Sequence, residues 1–145
     1  MLQIKSKYKI AKRLGAGIFE QTQTQKFALA EARKKDTKKR GRGGSDYGKQ
    51  LLEKQRIRFT YGLSEKQLSN YAAEAFKEKE PSVELNKSLE MRADSVVYRA
   101  GLASTRRAAR QAVSHGHILI NGVRTTRPSH RVKVGDTLKI GRAHV

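Results

Sequence analysis

Apolar residues recur at helical spacing through the middle of the chain. One stripe predicts an amphipathic helix whose apolar side belongs to the core, and it comprises Leu68, Tyr71, Ala72, Ala75 and Phe76. Ser64 and Gln67 have the spacing of a capping box at the start of this helix. Pro81 interrupts the pattern, because proline removes a helix hydrogen bond.

A second apolar stripe follows Pro81 and predicts another helix, which Ser82 would cap and Gly101 would end. Its buried side would be formed by Leu85, Leu89, Ala93, Val96, Val97 and Ala100. The spacing shifts near Arg92, so we expect the helix to be displaced there.

Helix signals also precede these stripes. Residues 8–14 predict a short helix that a glycine ends, and residues 25–35 are rich in helix-forming types. Ser45 is a favourable N-cap for a helix that runs to Tyr61 and ends at Gly62.

The segment from Ser104 to Gly116 predicts a helix capped by Ser104 and followed by a change of period. Its apolar face would comprise Thr105, Ala108, Ala109, Ala112 and Val113. Residues 117–120 then read as a strand, Asn121-Gly122 as a tight hairpin turn, and residues 123–126 as the returning strand.

Residues 132–140 predict a further strand, turn and strand. The order of elements therefore indicates an α+β fold. We expect a basic arm and helical domain over residues 1–90. A small module of short helices and a hairpin-rich antiparallel sheet would follow over residues 91–139.

The net charge of +19, from 32 Lys and Arg against 13 Asp and Glu in 145 residues, changes the picture. Residues 1–60 carry +12, residues 61–90 carry −2 and residues 91–145 carry +9, so two basic blocks flank a near-neutral segment. Such a chain suits a polyanionic partner better than the role of a free metabolic enzyme. Cysteine is absent, which excludes disulfides and thiolate sites.

The positions of the cations suggest particular contacts. Arg106 and Arg107 fall in the first helical turn, where a cation is unfavourable by about 0.3–1 kcal/mol. We therefore expect both side chains and the helix amides to converge on one phosphate, with a solvated charged face as the alternative. The basic, Gly-rich residues 36–44 are either a flexible linker or an arm that orders on RNA. Tyr47 is a candidate RNA contact, whereas Tyr71 and Tyr98 are expected in the core.

Several segments resemble the RNA-binding module named after ribosomal protein four of the small subunit. They are Arg92 to Arg99, Ser104-Thr105-Arg106, Ala109-Arg110-Gln111, Val113 to His117, Asn121-Gly122, Pro128-Ser129 and Gly135-Asp136. Lys9 to Gly15, Ser45 to Gly48, Leu51 to Arg58 and Tyr61-Gly62 resemble the helical domain of that family of ribosomal proteins. The resemblance covers most of residues 5–138.

The resemblance implies a structural, non-enzymatic component of the small ribosomal subunit, of the bacterial or organellar type. It would bind small-subunit ribosomal RNA directly, nucleate assembly, support decoding accuracy and contact small-subunit protein five. It would work on the ribosome in the cytoplasm or an organelle, without cofactor, metal, membrane or small-molecule substrate. The candidate RNA-binding residues are Ser104, Thr105, Arg106, Arg107, Arg110, Ser114, His115, His117, Asn121, Lys9, Lys12, Arg13, Arg40, Arg42, Tyr47, Lys54, Arg56 and Arg58.

The chain departs from the family pattern in two respects. Some members bind zinc through an N-terminal cysteine cluster, which this chain lacks. Members also continue past the module with a tail that packs on the N-terminal domain. Residues 140–145 are what a common sequencing-library adapter encodes, so we expect a non-native tail, a natural chain that continues beyond Lys139, and lowered stability of the N-terminal domain.

Four alternatives fit the residues less well. His115, His117 and His130 could bind a metal only with further ligands, and Ser114, His115 and Asp136 lack the context of a catalytic triad. An RNA-modifying enzyme such as a pseudouridine synthase would need a separate catalytic domain. A stand-alone factor for stalled or damaged ribosomal particles would not need the helical N-terminal domain.

Overall fold

The computed structural model describes residues 2–35 and 44–141, in two compact units, Met1–Glu65 (unit 1) and Lys66–Val145 (unit 2). The helices in the described ranges are α1 (Lys7–Leu14), α2 (Gln25–Lys35), α3 (Asp46–Tyr61), α4 (Glu65–Ala75), α5 (Pro81–Glu90), α6 (Ala93–Arg99) and α7 (Arg106–Ser114). The strands are β1 (Ile118–Ile120), β2 (Val123–Thr125) and β3 (Leu138–Ile140). The predicted α+β class is confirmed.

Unit 1 has a small core around α1 and two single-turn 3-10 helices, Ala16–Ile18 and Glu20–Thr22. Its buried side chains are Ala11, Leu14, Ile18, Phe19 and Phe27, with Leu52 and Phe59 of α3 packed against them. Arg56 Nε also donates to the Leu14 carbonyl at 2.7 Å, which joins α3 to the end of α1.

The predicted ends of α3 are confirmed. Ser45 Oγ accepts a hydrogen bond from the Gly48 amide at 3.2 Å, as expected of an N-cap. Gly62 ends the helix in the left-handed conformation at φ 65°, which glycine adopts without steric cost.

The apolar stripe from Leu68 to Phe76 is confirmed only in part. Leu68 and Ala75 of α4 are buried, but α4 ends at Ala75 and the Phe76 side chain is 76% exposed, so its placement in the core was wrong. The start of α5 also differs, because Glu80 is the N-cap and Pro81 is the first helical residue. Ser82 therefore lies inside the helix.

The displacement predicted near Arg92 is a complete break between α5 and α6. Arg92 adopts an extended conformation, and its neighbours bond to a distant segment: Ala93 N donates to His130 O at 2.8 Å, and Val132 N donates to Met91 O at 2.8 Å. Hydrogen bonds to residues 130 and 132 take the place of helical hydrogen bonds at this break.

The core of unit 2 lies between α6, α7 and the sheet. It comprises Ala93, Val97, Ala109, Val113, Ile118, Ile120 and Val132. The N-cap of α7 is Thr105, whose Oγ1 accepts from Ala108 N at 3.0 Å, and not Ser104, which is exposed.

The sheet is antiparallel with the order β2-β1-β3. Asn121 and Gly122 form the predicted hairpin turn, with φ values of 51° and 80°. Val132 is buried and Val134 is fully exposed, but no strand forms around them in residues 44–141. The strand expected before β3 is therefore an extended segment with one β-bridge, Arg131 to Arg92.

Candidate nucleic-acid interface

Cationic side chains of α1 and α3 surround a groove of about 690 Å³ in unit 1. Its lining includes Lys9, Lys12, Arg13, Gly44, Gly48, Lys49, Leu51 and Leu52. Lys9, Lys12 and Arg13 share one helical face because they are three and four residues apart. They are exposed and form no ion pair within the described residues, so their charge is available to an external anion.

The three predicted RNA-binding cations of α3, by contrast, form ion pairs with carboxylates of unit 1. Lys54 and Arg58 contact the Glu65 carboxylate at 2.7 and 2.9 Å, and Arg56 pairs with Glu53. The Lys54 hydrogen bond is the main reason that the pKa of Glu65 lies below its ordinary value. Lys54, Arg56 and Arg58 therefore have a structural role that the sequence did not indicate.

Three further predicted contacts precede or begin α3. Tyr47 is 75% exposed, so its ring is accessible to a base. Arg40 and Arg42 lie outside the described residues, as does most of the basic loop that was interpreted either as a flexible linker or as an arm that orders on RNA.

Arg106 and Arg107 do not converge as the sequence suggested. The Arg106 guanidinium lies 4.7 Å from the Tyr98 ring centroid and contacts Ser95 Oγ at 3.3 Å and Glu90 Oε1 at 3.4 Å. Its side chain is only 16% exposed. Arg107 is exposed to solvent, so within this pair it is the residue open to a phosphate.

A buried polar cluster of Arg92, Asp94 and Tyr71 influences the pKa of Arg110. Arg92 is 2% exposed, forms a two-point ion pair with Asp94, and donates to Tyr71 Oη at 2.9 Å. Burial lowers the pKa of Arg110, and the charge of Arg92 adds to this effect while Asp94 opposes it. Arg110 is therefore half-buried and interacts electrostatically with the buried pair of Arg92 and Asp94.

The remaining predicted contacts divide between solvent and structure. Ser114 and His115 are exposed, His117 is half-buried, and the two imidazole centroids are 5.9 Å apart. Ser114 Oγ donates to Arg110 O at 2.8 Å. Asn121 uses its side chain internally: Nδ2 donates to Asp136 Oδ1 and Oδ1 accepts from Thr137 N, both at 2.9 Å.

Sequence reasoning missed two cations on the sheet, Arg124 and Lys139. Both are exposed and both lie opposite Leu119 on the neighbouring strands. The alternation of side chains along β1 was the available signal, because Ile118 and Ile120 mark the core face.

None of the helices in residues 2–35 and 44–141 combines the length and the apolar character that crossing a bilayer requires. Residues 2–35 and 44–141 contain no group of three His, Asp or Glu side chains arranged to hold a metal ion.

A helical unit with a cationic groove and a helix–sheet module with exposed Arg and Lys define a small basic α+β protein, the class in which nucleic-acid-binding domains are common. Family models agree with this class: the ribosomal protein S4/S9 N-terminal domain matches residues 3–91 and the S4 domain matches residues 91–138. The chain belongs to the ribosomal protein S4/S9 family.

Curated relatives are called small ribosomal subunit protein uS4. Over 98 residues, which are 66% of this chain, the protein of Lactococcus lactis subsp. cremoris (strain MG1363) is 55% identical. Those of Streptococcus thermophilus (strain CNRZ 1066) and Streptococcus suis (strain 05ZYH33) are 54% and 53% identical over the same length. The alignments cover 48% of each relative, so the chain spans about half the length of the curated relatives it matches.

Proposed function

We propose that this chain is a structural component of the small ribosomal subunit that binds small-subunit ribosomal RNA directly and performs no catalysis. The observation that carries the proposal is the groove of unit 1, where Lys9, Lys12 and Arg13 present charge that no carboxylate of the described residues neutralises. Membership of a ribosomal protein family makes ribosomal RNA the matching polyanion.

The finer functions follow from the same assignment. Binding to a folded RNA junction would nucleate assembly, because a basic protein neutralises the phosphates that helices bring together. The chain would contact neighbouring small-subunit proteins, protein five first among them, and would support decoding accuracy. Its place of work would be the ribosome in the cytoplasm.

Charge reversal in the groove tests the RNA-binding proposal. Affinity of the 145-residue chain for a Lactococcus lactis small-subunit ribosomal RNA transcript is measured between about 50 and 200 mM salt, with an unrelated RNA of equal length as reference. Lys12→Glu with Arg13→Glu is expected to lower affinity by at least roughly tenfold and to reduce the salt slope by about two.

The matched control is Lys66→Glu with Lys77→Glu, which changes the net charge equally at exposed positions outside the groove. We expect a smaller effect from it. Equal losses in both double variants would show that only net charge matters. An affinity for the ribosomal transcript no higher than for the unrelated RNA would overturn the proposal.

Sedimentation separates a structural component from a stand-alone factor. Small subunits assembled in the presence of the chain are washed at high salt and centrifuged. A structural component remains with the washed subunits because it is enclosed by folded RNA, whereas a surface-bound factor is released. Release of the chain would favour the factor.

A further inference from the structure

The outer face of the sheet in unit 2 carries a row of side chains that spans all three strands. Leu119 pairs with Arg124 of β2 on one side and with Lys139 of β3 on the other. Residues directly opposite each other in an antiparallel sheet project from the same face. Because Ile118 and Ile120 are buried against the helices, the row of Arg124, Leu119 and Lys139 lies on the opposite face.

The guanidinium of Arg124 lies directly over Gly116, the middle one of the three residues between α7 and β1. A Cβ at position 116 would stand 2.6 Å from Arg124 Nη2 and 2.7 Å from Arg124 Cζ, so any side chain there would force the guanidinium to move. Arg124 Nη2 also donates to the His115 carbonyl at 3.2 Å. The glycine at φ 72° therefore provides the space in which the guanidinium lies.

Arg124 and Lys139 differ from Arg131 in their partners. Within the described residues, neither Arg124 nor Lys139 forms an ion pair, whereas Arg131 in the same unit contacts Glu84 at 3.6 Å. Holding a long side chain in one place costs rotamer entropy, and a single exposed hydrogen bond to a carbonyl returns little of it. The arrangement is better explained by an external anion.

We propose that Arg124 and Lys139 form a phosphodiester-binding row on the outer face of the sheet, and that Gly116 positions Arg124 for this contact. The inference deepens the proposed function and rests on it. The two cations stand two strand spacings apart, about 10 Å, on either side of half-buried Leu119. An Arg fork at this edge suits two-point contact with phosphate oxygens, whereas Lys supplies a point charge.

Neutral variants of the row test the contact. Affinity for the Lactococcus lactis small-subunit ribosomal RNA transcript is measured for the full chain as a function of salt. Arg124→Gln and Lys139→Gln are each expected to lower affinity roughly five- to tenfold and to reduce the salt slope by about one. Arg131→Gln, an exposed arginine already paired with Glu84, is the matched control and should change both quantities less.

A double-variant cycle tests the positioning role of Gly116. Gly116→Ala should displace the guanidinium and weaken RNA binding severalfold, and this loss of affinity should be much smaller in the Arg124→Gln background, whereas the backbone strain of alanine at φ 72° is the same in both. A loss of equal size in both backgrounds would mean that Gly116 acts only on the fold, and the positioning role would be wrong. Thermal unfolding of each variant identifies any loss that comes from unfolding.

The outcomes separate this inference from the proposed function. If the unaltered chain binds the transcript but both row variants bind equally well, the row is not a phosphate site and the groove proposal stands. If the unaltered chain shows no preference for the transcript, the proposed function itself fails. Binding to polyglutamate is measured with the same variants. If they lose more affinity for polyglutamate than for the RNA, the row recognises an acidic protein and the phosphate proposal is wrong.

Discussion

Arg92 and Asp94 are joined by a two-point ion pair in the interior of unit 2. Arg92 Nε lies 3.0 Å from Asp94 Oδ1, and Arg92 Nη2 lies 2.9 Å from Asp94 Oδ2. Burial lowers the pKa of Arg92, but the hydrogen bond and charge of Asp94 outweigh this and raise it overall. The pair stands at the break between α5 and α6, where Asp94 Oδ1 also accepts from Ser95 N at 2.9 Å.

Asp94→Asn should destabilise unit 2 strongly. The substitution leaves the buried guanidinium of Arg92 without its counter-charge, which costs about 3–5 kcal/mol. Urea denaturation followed through amide NMR signals of unit 2 measures the change. Glu84→Gln is the control in the same unit, because its pairs with Lys87 and Arg131 lie at the surface and should contribute below about 1 kcal/mol. Equal effects of the two variants would contradict the buried-pair interpretation.

The ion pair also shows what the sequence could predict and what it could not. The ends of α3 were predictable because Ser45 and Gly62 act within a few residues of the backbone groups they satisfy. The break at Arg92 appeared only as a shift in spacing, because its partners include Tyr71, which is 21 residues away. Local chemistry is legible in a single sequence, whereas tertiary hydrogen bonds are not.

The candidate site follows the same division. Lys9, Lys12 and Arg13 were predicted and are exposed around a groove, because a helical repeat of cations needs no tertiary information. Arg106 was expected at the surface but lies against Tyr98, whose position depends on how α6 packs on α7. Phe76 was expected in the core because its spacing fits, but the helix ends one residue earlier.

Thr105→Ala should destabilise α7, and Ser104→Ala should not. Thr105 Oγ1 caps the Ala108 amide, so its removal should cost about 1 kcal/mol, within a range of roughly 0.5–2. Ser104 is exposed and lies one residue before the cap. Thr105→Ser keeps the hydroxyl and should retain most of the stability. Denaturant midpoints of the three variants decide the point, and a larger loss for Ser104→Ala would restore Ser104 as the cap.

Arg106→Gln and Arg107→Gln should affect different properties. Losing the contact of Arg106 with the Tyr98 ring and Glu90 should cost about 1–2 kcal/mol of stability. Arg107 is exposed in the first helical turn, so its removal should leave stability within about 0.5 kcal/mol. It should, however, lower RNA affinity and reduce the salt slope by about one. Thermal unfolding and RNA titration of both variants give the comparison, and the reverse assignment of effects would refute it.

Asn121→Ala should weaken the hairpin through two separable effects. Alanine is disfavoured at φ 51° by about 1–2 kcal/mol, and it also removes the hydrogen bonds to Asp136 and Thr137. Asn121→Gly keeps the left-handed conformation but not the hydrogen bonds, so it should be less destabilising. The difference in unfolding free energy between the two variants measures the conformational part. Equal destabilisation would mean that the hydrogen bonds account for the whole effect.

Asp136 should make the stability of unit 2 sensitive to acid. The Lys133 amide, which donates to Oδ2 at 2.8 Å, and then the Asn121 amide hold the pKa of Asp136 below its ordinary range. A carboxylate with a lowered pKa in the folded state contributes stability that is fully present at neutral pH. This contribution is lost as the pH falls below about 4 and through the folded-state pKa.

The pH dependence is measured by comparing the chain with its Asp136→Asn variant. The difference in unfolding free energy between them should be constant around neutral pH and should shrink in acid. Carboxyl NMR titration should give Asp136 a midpoint below that of an unstructured aspartate, and Asn121→Gly should raise this midpoint because it removes one of the two donors. An ordinary midpoint in the unaltered chain would show that the two hydrogen bonds do not favour the ionised carboxylate.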